Sequence, residues 1–256
     1  MREATVTPSG DRIRWVELPG AEPARLYLHG LGASSPVYFA AAAAHPLLAG
    51  RRSLLLDLLG FGISDRPTDF GYTLEAHADA VAAAVRAAGP DRVEVVGHSM
   101  GGAVAIVLAH RHPALVSRLL LVDANLDAIA LGRRRVGSSG IASYTETEFL
   151  GGGLAEAAER VGPFWWSTMR LAGPVALYRS ALHLARGSEP VMRELLLRLD
   201  LPRTFLHPAA DGPPQGVDAL RAAGVRVVAV PDCGHNVMLD NPEGFASAAA
   251  EALNPD

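Results

Sequence analysis

A serine stands where the chain changes from strand-like to helix-like sequence. Val93 to Val96 is rich in β-branched residues, and an apolar, alanine-rich run with helical spacing follows Gly101. Between them, Gly97-His98-Ser99-Met100-Gly101 has the pattern G-x-S-x-G. A tight turn of this kind lifts a serine hydroxyl out of a sheet and leaves it at a helix N-terminus, where developing negative charge is favoured. We interpret Ser99 as a nucleophile; the alternative is a glycine-rich turn with an N-capping serine.

A serine hydroxyl needs a general base, and His235 is the candidate. It follows the apolar strand-like run Val225 to Val230 and precedes a helix-like segment. The loop after a parallel strand lies at the carboxyl edge of the sheet, which is also the edge expected for Ser99. The alternative is a capping or surface histidine. No H-E-x-x-H motif or cysteine–histidine spacing occurs, so no metal site is expected.

The histidine in turn needs a carboxylate to orient it, and two aspartates follow strand-like runs. Asp211 comes just after the run 203–206, and Asp123 comes directly after the run 119–122. Either strand end could reach His235 from the correct edge. We favour Asp211 and keep Asp123 as the alternative acid.

Backbone N–H groups must stabilise the oxyanion that forms in acyl transfer. Met100, the residue after the nucleophile, and Leu31, in the loop that follows an earlier strand, are the expected donors. Trp165, Trp166 and Tyr178 are candidates for lining an apolar acyl pocket. The alternative for these aromatic residues is packing of their own helical segment onto the core.

Strands alternate with helices along most of the chain, which predicts a mostly parallel sheet covered on both faces. Residues 125–200 break this alternation, because they show helical segments and no convincing strand. We therefore predict an α/β core formed by residues 1–124 and 201–256, with residues 125–200 as a helical cap. The cap is expected over the carboxyl edge of the sheet, where open α/β sheets bind ligands.

Composition excludes several classes of function. The chain has 256 residues, of which 49% are hydrophobic, so a sizeable core is expected and disorder is not. All 23 basic residues are arginine, which excludes a lysine Schiff base, a Ser-Lys dyad and a Walker lysine. A net charge of −4 gives no footprint for nucleic acid or an anionic membrane. One cysteine, no signal-peptide pattern and no long apolar run together predict a cytoplasmic protein with no membrane partner.

Several motifs in sequence order resemble those of the α/β-hydrolase superfamily. They are LHGLG (28–32), DLLGFGISDRP (57–67), GHSMGG (97–102), HPAAD (207–211) and CGH (233–235). The resemblance implies an eight-stranded sheet, a Ser-Asp-His triad, an oxyanion hole from Leu31 and Met100, and a helical cap. Some capped members carry the acid after the preceding strand, where Asp123 stands.

The residues and the resemblance together predict a serine hydrolase that cleaves an ester, thioester or lactone. Its expected partner is a small-molecule acyl substrate, no cofactor is expected, and the sequence predicts no particular oligomeric state. Two alternatives use the same fold. One is an acyltransferase, perhydrolase or carbon–carbon bond hydrolase with the same triad, and the other is a ligand receptor that binds without turnover.

Overall fold

An eight-stranded sheet forms the centre of the chain in the computed structural model, which describes residues 1–132 and 135–254. The strands are β1 (Arg2–Thr5), β2 (Arg12–Leu18), β3 (Ala21–Leu28), β4 (Arg51–Asp57), β5 (Val93–His98), β6 (Val116–Val122), β7 (Arg203–Pro208) and β8 (Val225–Val230). Their spatial order is β1-β2-β4-β3-β5-β6-β7-β8. The pairs β1–β2 and β2–β4 are antiparallel, and all other neighbours are parallel. The predicted eight-stranded, mostly parallel α/β architecture is confirmed.

Helices cover both faces of this sheet and also form the connection between β6 and β7. They are α1 (Ser35–Ala44), α2 (Leu74–Ala88), α3 (Met100–Arg111), α4 (Ser138–Ile141), α5 (Glu146–Glu148), α6 (Leu154–Arg160), α7 (Pro163–Met169), α8 (Pro174–Arg186), α9 (Met192–Arg198), α10 (Val217–Ala222), α11 (Val237–Asp240) and α12 (Pro242–Leu253). A π-turn (Phe149–Gly153) joins α5 to α6, and a 3₁₀ turn (Ala209–Asp211) follows β7.

The apolar core lies in two layers, because successive strand residues point to opposite faces. Val95 belongs to the layer that α2 and α3 cover, whereas Val96 belongs to the layer that α1 and α12 cover. Leu119 and Leu120 divide between the layers in the same way. A strand buried on both faces reads as a continuous apolar run, which is why LLLV in β6 shows no alternation.

Helix α2 shows how local sequence sets an element. The Thr73 side chain accepts a hydrogen bond from the Ala76 backbone N–H at 3.0 Å, which satisfies one of the free donors of the first turn. Gly89 ends the helix with a φ of 87°, a left-handed conformation that glycine adopts without a Cβ penalty. The helix therefore runs over Leu74–Ala88, between the Thr73 cap and the Gly89 cap.

The connection between β6 and β7 contains helices α4 to α9, and its described residues form no strand. Two close contacts place the beginning of α8 against the loop after β4. Gly173 N donates to Gly60 O at 2.8 Å, and a Cβ at Gly60 would lie 2.2 Å from the Cβ of Ala176. Gly60 therefore allows α8 to approach the loop after β4 closely.

Strand β1 was not predicted from the sequence. It is short and mostly exposed, so the pattern of Arg2–Thr5 carries little apolar signal. It forms the edge of the sheet because it pairs with β2, from Arg2 opposite Trp15 to Thr5 opposite Arg12. Within the part of the chain that the structure describes, each helix is too short or too polar to cross a bilayer.

Candidate active site

Ser99 lies at the turn between β5 and α3 in a backbone conformation that few non-glycine residues adopt. Its φ is 51° and its ψ is −118°, and strained residues of this kind cluster at functional sites. A Cβ at Gly97 would lie 2.6 Å from the carbonyl oxygen of Gly101, and a Cβ at Gly101 would lie 2.3 Å from that of Leu28. Side chains at either position would therefore force the turn apart, which explains the two glycines.

The hydroxyl of Ser99 is half-buried and meets an amide. Ser99 Oγ donates to Oδ1 of Asn125 with 3.3 Å between the two oxygens. Ser99 and His235 border the same cavity, but no hydrogen bond joins their side chains. Asn125 was not among the predicted site residues; its position two residues after Asp123, close to the end of a strand, was the available signal.

His235 lies in the loop between β8 and α11, and its imidazole meets a carboxylate. His235 Nδ1 and Asp123 Oδ2 are 2.6 Å apart, a distance typical of a charge-assisted hydrogen bond. The carboxylate accepts the proton of Nδ1, so Nε2 is left as the acceptor nitrogen. That arrangement is the one a general base requires.

The structure corrects the preference for Asp211 as the partner of His235. Strand β7 continues to Pro208, and the following 3₁₀ turn leaves Asp211 exposed at its end. Asp123 instead follows β6 directly, with a φ of 41° that turns the chain sharply at the sheet edge. Its backbone N–H is fixed to Leu206 O at 2.8 Å. Asp123 is thus held on the strand adjacent to Ser99.

His98, the residue before Ser99, is buried beside His235. Its Nε2 donates to the backbone carbonyl of His235 at 2.9 Å, and the two ring centroids are 4.6 Å apart. Its Nδ1 has no hydrogen-bond partner among the described residues. Burial lowers the pKa of His98 well below its ordinary value, so the ring stays neutral. His98 therefore supports the His235 loop without placing a second positive charge beside the base.

The two predicted oxyanion donors border Ser99. Met100 follows it directly, and a Cβ at Gly30, next to Leu31, would lie 3.1 Å from the Cβ of Ser99. Within the described ranges, neither the Leu31 nor the Met100 backbone N–H donates a hydrogen bond. Both donors thus remain available to an acceptor placed near Ser99.

His29 orients the peptide that carries the Leu31 N–H. Its Nε2 accepts from the Leu58 backbone N–H at 3.1 Å, so Nδ1 carries the proton and donates to Gly30 O at 2.7 Å. The Gly30 carbonyl and the Leu31 N–H belong to one peptide unit, and holding one end fixes the direction of the other. Burial lowers the pKa of His29 and keeps it neutral.

Asp57 joins the loops after β3 and β4. Its buried carboxylate accepts hydrogen bonds from Ser34 Oγ at 3.0 Å, Ser35 N at 2.7 Å and Ile63 N at 2.9 Å. A Cβ at Gly62 would lie 1.8 Å from Oδ2, so only glycine leaves room for this carboxylate. The glycine-rich sequence after β4 therefore packs around Asp57 and supports the loop that carries the Leu31 N–H.

A cavity of about 490 Å³ opens above Ser99. It is lined by Gly30, Leu31, Ala33, Tyr38, His98, Ser99, Asn125, Ile129, Arg135, Val136, Gly137, Ser138, Ser139, Trp165, Leu184, His235 and Asn236. No aspartate or glutamate is among these residues, so the described wall carries no negative charge. Side chains from both the sheet edge and the β6–β7 connection form the cavity.

One of the three aromatic residues predicted to line the pocket borders this cavity. Trp165 lines the cavity and donates from Nε1 to the carbonyl oxygen of Leu31 at 2.9 Å. Trp166 does not line the cavity; it packs partly against the apolar core, as Trp165 also does. Tyr178 is buried in the β6–β7 connection, where its hydroxyl donates to Tyr144 O at 2.9 Å. The prediction that Trp166 and Tyr178 line the acyl pocket is therefore corrected. Helix α7 turns its two tryptophans to different neighbours because consecutive helical residues diverge by 100°.

The described residues hold no cluster of three histidine, cysteine or acidic side chains that could bind a metal ion. Cys233, two residues before His235, is half-buried, and burial followed by the carboxylates of Asp240 and Asp123 raises the pKa of its thiol. The thiol is therefore held protonated and is a poor nucleophile.

Comparison with known proteins agrees with this architecture. A family model of the alpha/beta hydrolase fold matches residues 25–138. An esterase from Exiguobacterium antarcticum has a TM-score of 0.77 at 21% identity, with coverage of 96% of this chain and 97% of that one. An esterase from Thermogutta terrifontis has a TM-score of 0.76 at 24% identity, with coverage of 98% and 97%.

The chain has the alpha/beta hydrolase fold. A 2-hydroxymuconate semialdehyde hydrolase from Pseudomonas putida is 37% identical to this chain over 97 residues, which are 38% of this chain and 34% of that protein. The chain spans about a third of the length of the curated relatives it matches. Because one fold supports many reactions, the reaction has to be argued from the site.

Proposed function

We propose that this chain is a member of the α/β-hydrolase superfamily and a serine hydrolase that cleaves a carboxylic ester, thioester or lactone through an acyl-enzyme on Ser99. His235 acts as general base and Asp123 orients it. The observation that carries the proposal is the 2.6 Å hydrogen bond between His235 Nδ1 and Asp123 Oδ2, on an imidazole that borders the same cavity as Ser99.

The reaction follows from the placement of these groups. Ser99 Oγ attacks the substrate carbonyl carbon, its proton passes to His235 Nε2, and the carbonyl electron pair moves to the oxygen. The backbone N–H groups of Leu31 and Met100 bind that oxyanion. His235 then protonates the leaving group, and a water that loses its proton to His235 hydrolyses the acyl-enzyme.

The cavity supports a small substrate with an apolar acyl part of modest size. Its volume falls within the range of small-molecule sites, and Tyr38, Ile129, Trp165 and Leu184 provide apolar surface. We further propose that residues 125–200 act as a cap. Its support is that Ile129, Trp165 and Leu184 come from this segment and line the cavity, whereas Ser99 and His235 come from turns at the sheet edge.

Initial rates on p-nitrophenyl esters from acetate to dodecanoate test the proposal. We expect wild-type turnover and a loss of ~10³-fold or more in kcat for Ser99→Ala, because the remaining groups only bind and polarise the ester. The acyl chain length that gives the highest rate indicates the size of the part of the cavity that binds the acyl group. Equal rates for the wild type and Ser99→Ala, or no turnover of any ester, would contradict the proposal.

Cleavage of a carbon–carbon bond next to a carbonyl is the second candidate. The similarity to the 2-hydroxymuconate semialdehyde hydrolase favours it, and the same nucleophile, base and oxyanion donors would serve. Product analysis with a β-diketone separates the two reactions. A carboxylate and a ketone would form in equal amounts if the carbon–carbon bond is cleaved, whereas an esterase leaves the diketone intact.

A further inference from the structure

The resting nucleophile is hydrogen-bonded to an amide and not to the histidine that would take its proton. Ser99 Oγ lies 3.3 Å from Asn125 Oδ1, whereas no hydrogen bond joins it to the described His235. A hydroxyl carries one proton and can donate it to one acceptor at a time. As long as Asn125 accepts this proton, His235 cannot.

The backbone holds Asn125 firmly at this position. Ala124 packs against the first turn of α3, where a Cβ at Gly102 would lie 2.3 Å from the Cβ of Ala124. The backbone N–H of Asn125 also points at the carbonyl oxygen of Ser99, with 3.5 Å between the two atoms. The amide therefore faces the nucleophile because the turn after Asp123 places it there, not because of a flexible surface contact.

We propose that Asn125 is a positioning residue that holds the Ser99 hydroxyl away from His235 until substrate enters the cavity. The inference rests on the proposed function of Ser99. Rotation about the Cα–Cβ bond of Ser99 moves its hydrogen bond from Asn125 Oδ1 to His235 Nε2. Attack on the carbonyl then follows as described above, with the proton passing to Nε2 and no further reactant.

A purely structural role for Asn125 predicts that removing the amide slows the reactions of the Ser99 hydroxyl, whereas the proposed role predicts that removing it speeds them. If the amide only supported the turn, its removal would disorder Ser99 and slow every reaction of the hydroxyl. If the amide competes with His235, its removal makes the free hydroxyl more available to the base. A net hydrogen bond of ordinary strength corresponds to a factor of about 2 to 10 in that availability.

Phenylmethanesulfonyl fluoride is a suitable probe, because it is small and reports the reactivity of the serine hydroxyl. The rate of covalent labelling is followed by intact-protein mass for the wild type, Asn125→Leu, Asn125→Asp and Ser99→Ala. Leucine matches asparagine in size and accepts no hydrogen bond, so we expect labelling about 2- to 10-fold faster. An ionised aspartate accepts the hydroxyl proton more strongly, so we expect slower labelling for Asn125→Asp.

The outcomes separate this inference from the proposed function. If the wild type is not labelled, or Ser99→Ala is labelled equally, Ser99 is not the nucleophile and the proposed function fails. If the wild type is labelled at Ser99 while Asn125→Leu is labelled at an equal or lower rate, the role of Asn125 is refuted and the nucleophile stands. The thermal midpoint shows that each variant is folded, and Asn125→Ala gives the same test should the leucine variant not fold.

Discussion

Replacing Asp123 by asparagine removes the carboxylate that accepts the Nδ1 proton of His235. The 2.6 Å bond is at the short end for a nitrogen–oxygen pair, which indicates a charged acceptor. An asparagine of the same size can present its NH₂ group to Nδ1, and the imidazole proton then has to move to Nε2. In that tautomer Nε2 cannot accept the proton of Ser99.

The expected loss follows from this change of tautomer. A triad with the wrong tautomer loses about 10³- to 10⁴-fold in kcat, which corresponds to about 4 to 5.5 kcal/mol of transition-state stabilisation. Asp211→Asn is the matched control. Asp211 is exposed at the end of a 3₁₀ turn, and a change there is expected to alter kcat by no more than about twofold.

The assay is kcat on the best p-nitrophenyl ester for the wild type and both variants, with thermal midpoints to show that all three are folded. A large loss for Asp123→Asn together with a wild-type rate for Asp211→Asn supports the geometry. The reasoning is refuted if Asp211→Asn loses activity while Asp123→Asn retains it, because Asp211 would then orient the base during turnover.

Two further predictions concern buried histidines. His29→Leu removes one of two donors to Gly30 O, the carbonyl of the peptide that carries the Leu31 N–H, while the Ala33 N–H at 3.1 Å remains. We therefore expect kcat to fall by about 10-fold, less than the loss of a whole oxyanion donor, while KM changes little; an unchanged kcat in steady-state rates would contradict this role. His77 is buried against Ser180, and burial lowers its pKa to about 3. The unfolded chain therefore binds this proton first as the pH falls below about 6.5, and the free energy of unfolding should drop by about 1.4 kcal/mol per pH unit between the two pKa values. His77→Gln should make urea unfolding midpoints less steep over that window; an identical slope would show that another group is responsible.

Most of the fold could be predicted from local patterns. Strand β8 has the bounds predicted for the run Val225 to Val230, because a β-branched run is a self-contained signal. Strand β5 runs two residues further than predicted, through Gly97 and His98. These residues pair with Leu121 and Val122 of β6, and that pairing depends on a neighbouring strand and not on their own propensity.

Ser99 and His235 were also local signals, whereas the aspartate that pairs with His235 was not. Ser99 lies in a motif with a strained turn, and His235 follows Gly234 in the loop after β8. The choice between Asp123 and Asp211 depends on how far β7 extends. The strand continues to Pro208, and Asp211 lies at the end of the 3₁₀ turn that follows it. A sequence shows where a strand-like run ends, but the neighbouring strands decide where pairing ends.

The pocket required tertiary information. Trp165 and Trp166 are identical in type and adjacent in the chain, and both pack partly against the apolar core. Only Trp165 lines the cavity, where it donates to the carbonyl of Leu31. Which face of a short helix meets the cavity depends on how α7 lies against the loop after β3, and amino-acid type gives no information about that orientation.

Backbone hydrogen bonds between strand ends join the reacting groups. Ser99 N donates to Val122 O at 3.0 Å, and Asp123 N donates to Leu206 O at 2.8 Å. These two hydrogen bonds hold the end of β5 against β6 and the end of β6 against β7. The segment from Asp123 to Asn125 then contacts both the base, through a carboxylate, and the nucleophile, through an amide. An acid placed after β7 would orient His235 from a different turn than the one that carries Asn125. With the acid after β6, one three-residue turn sets the tautomer of the base and the resting position of the nucleophile together. A change in this turn should therefore affect both.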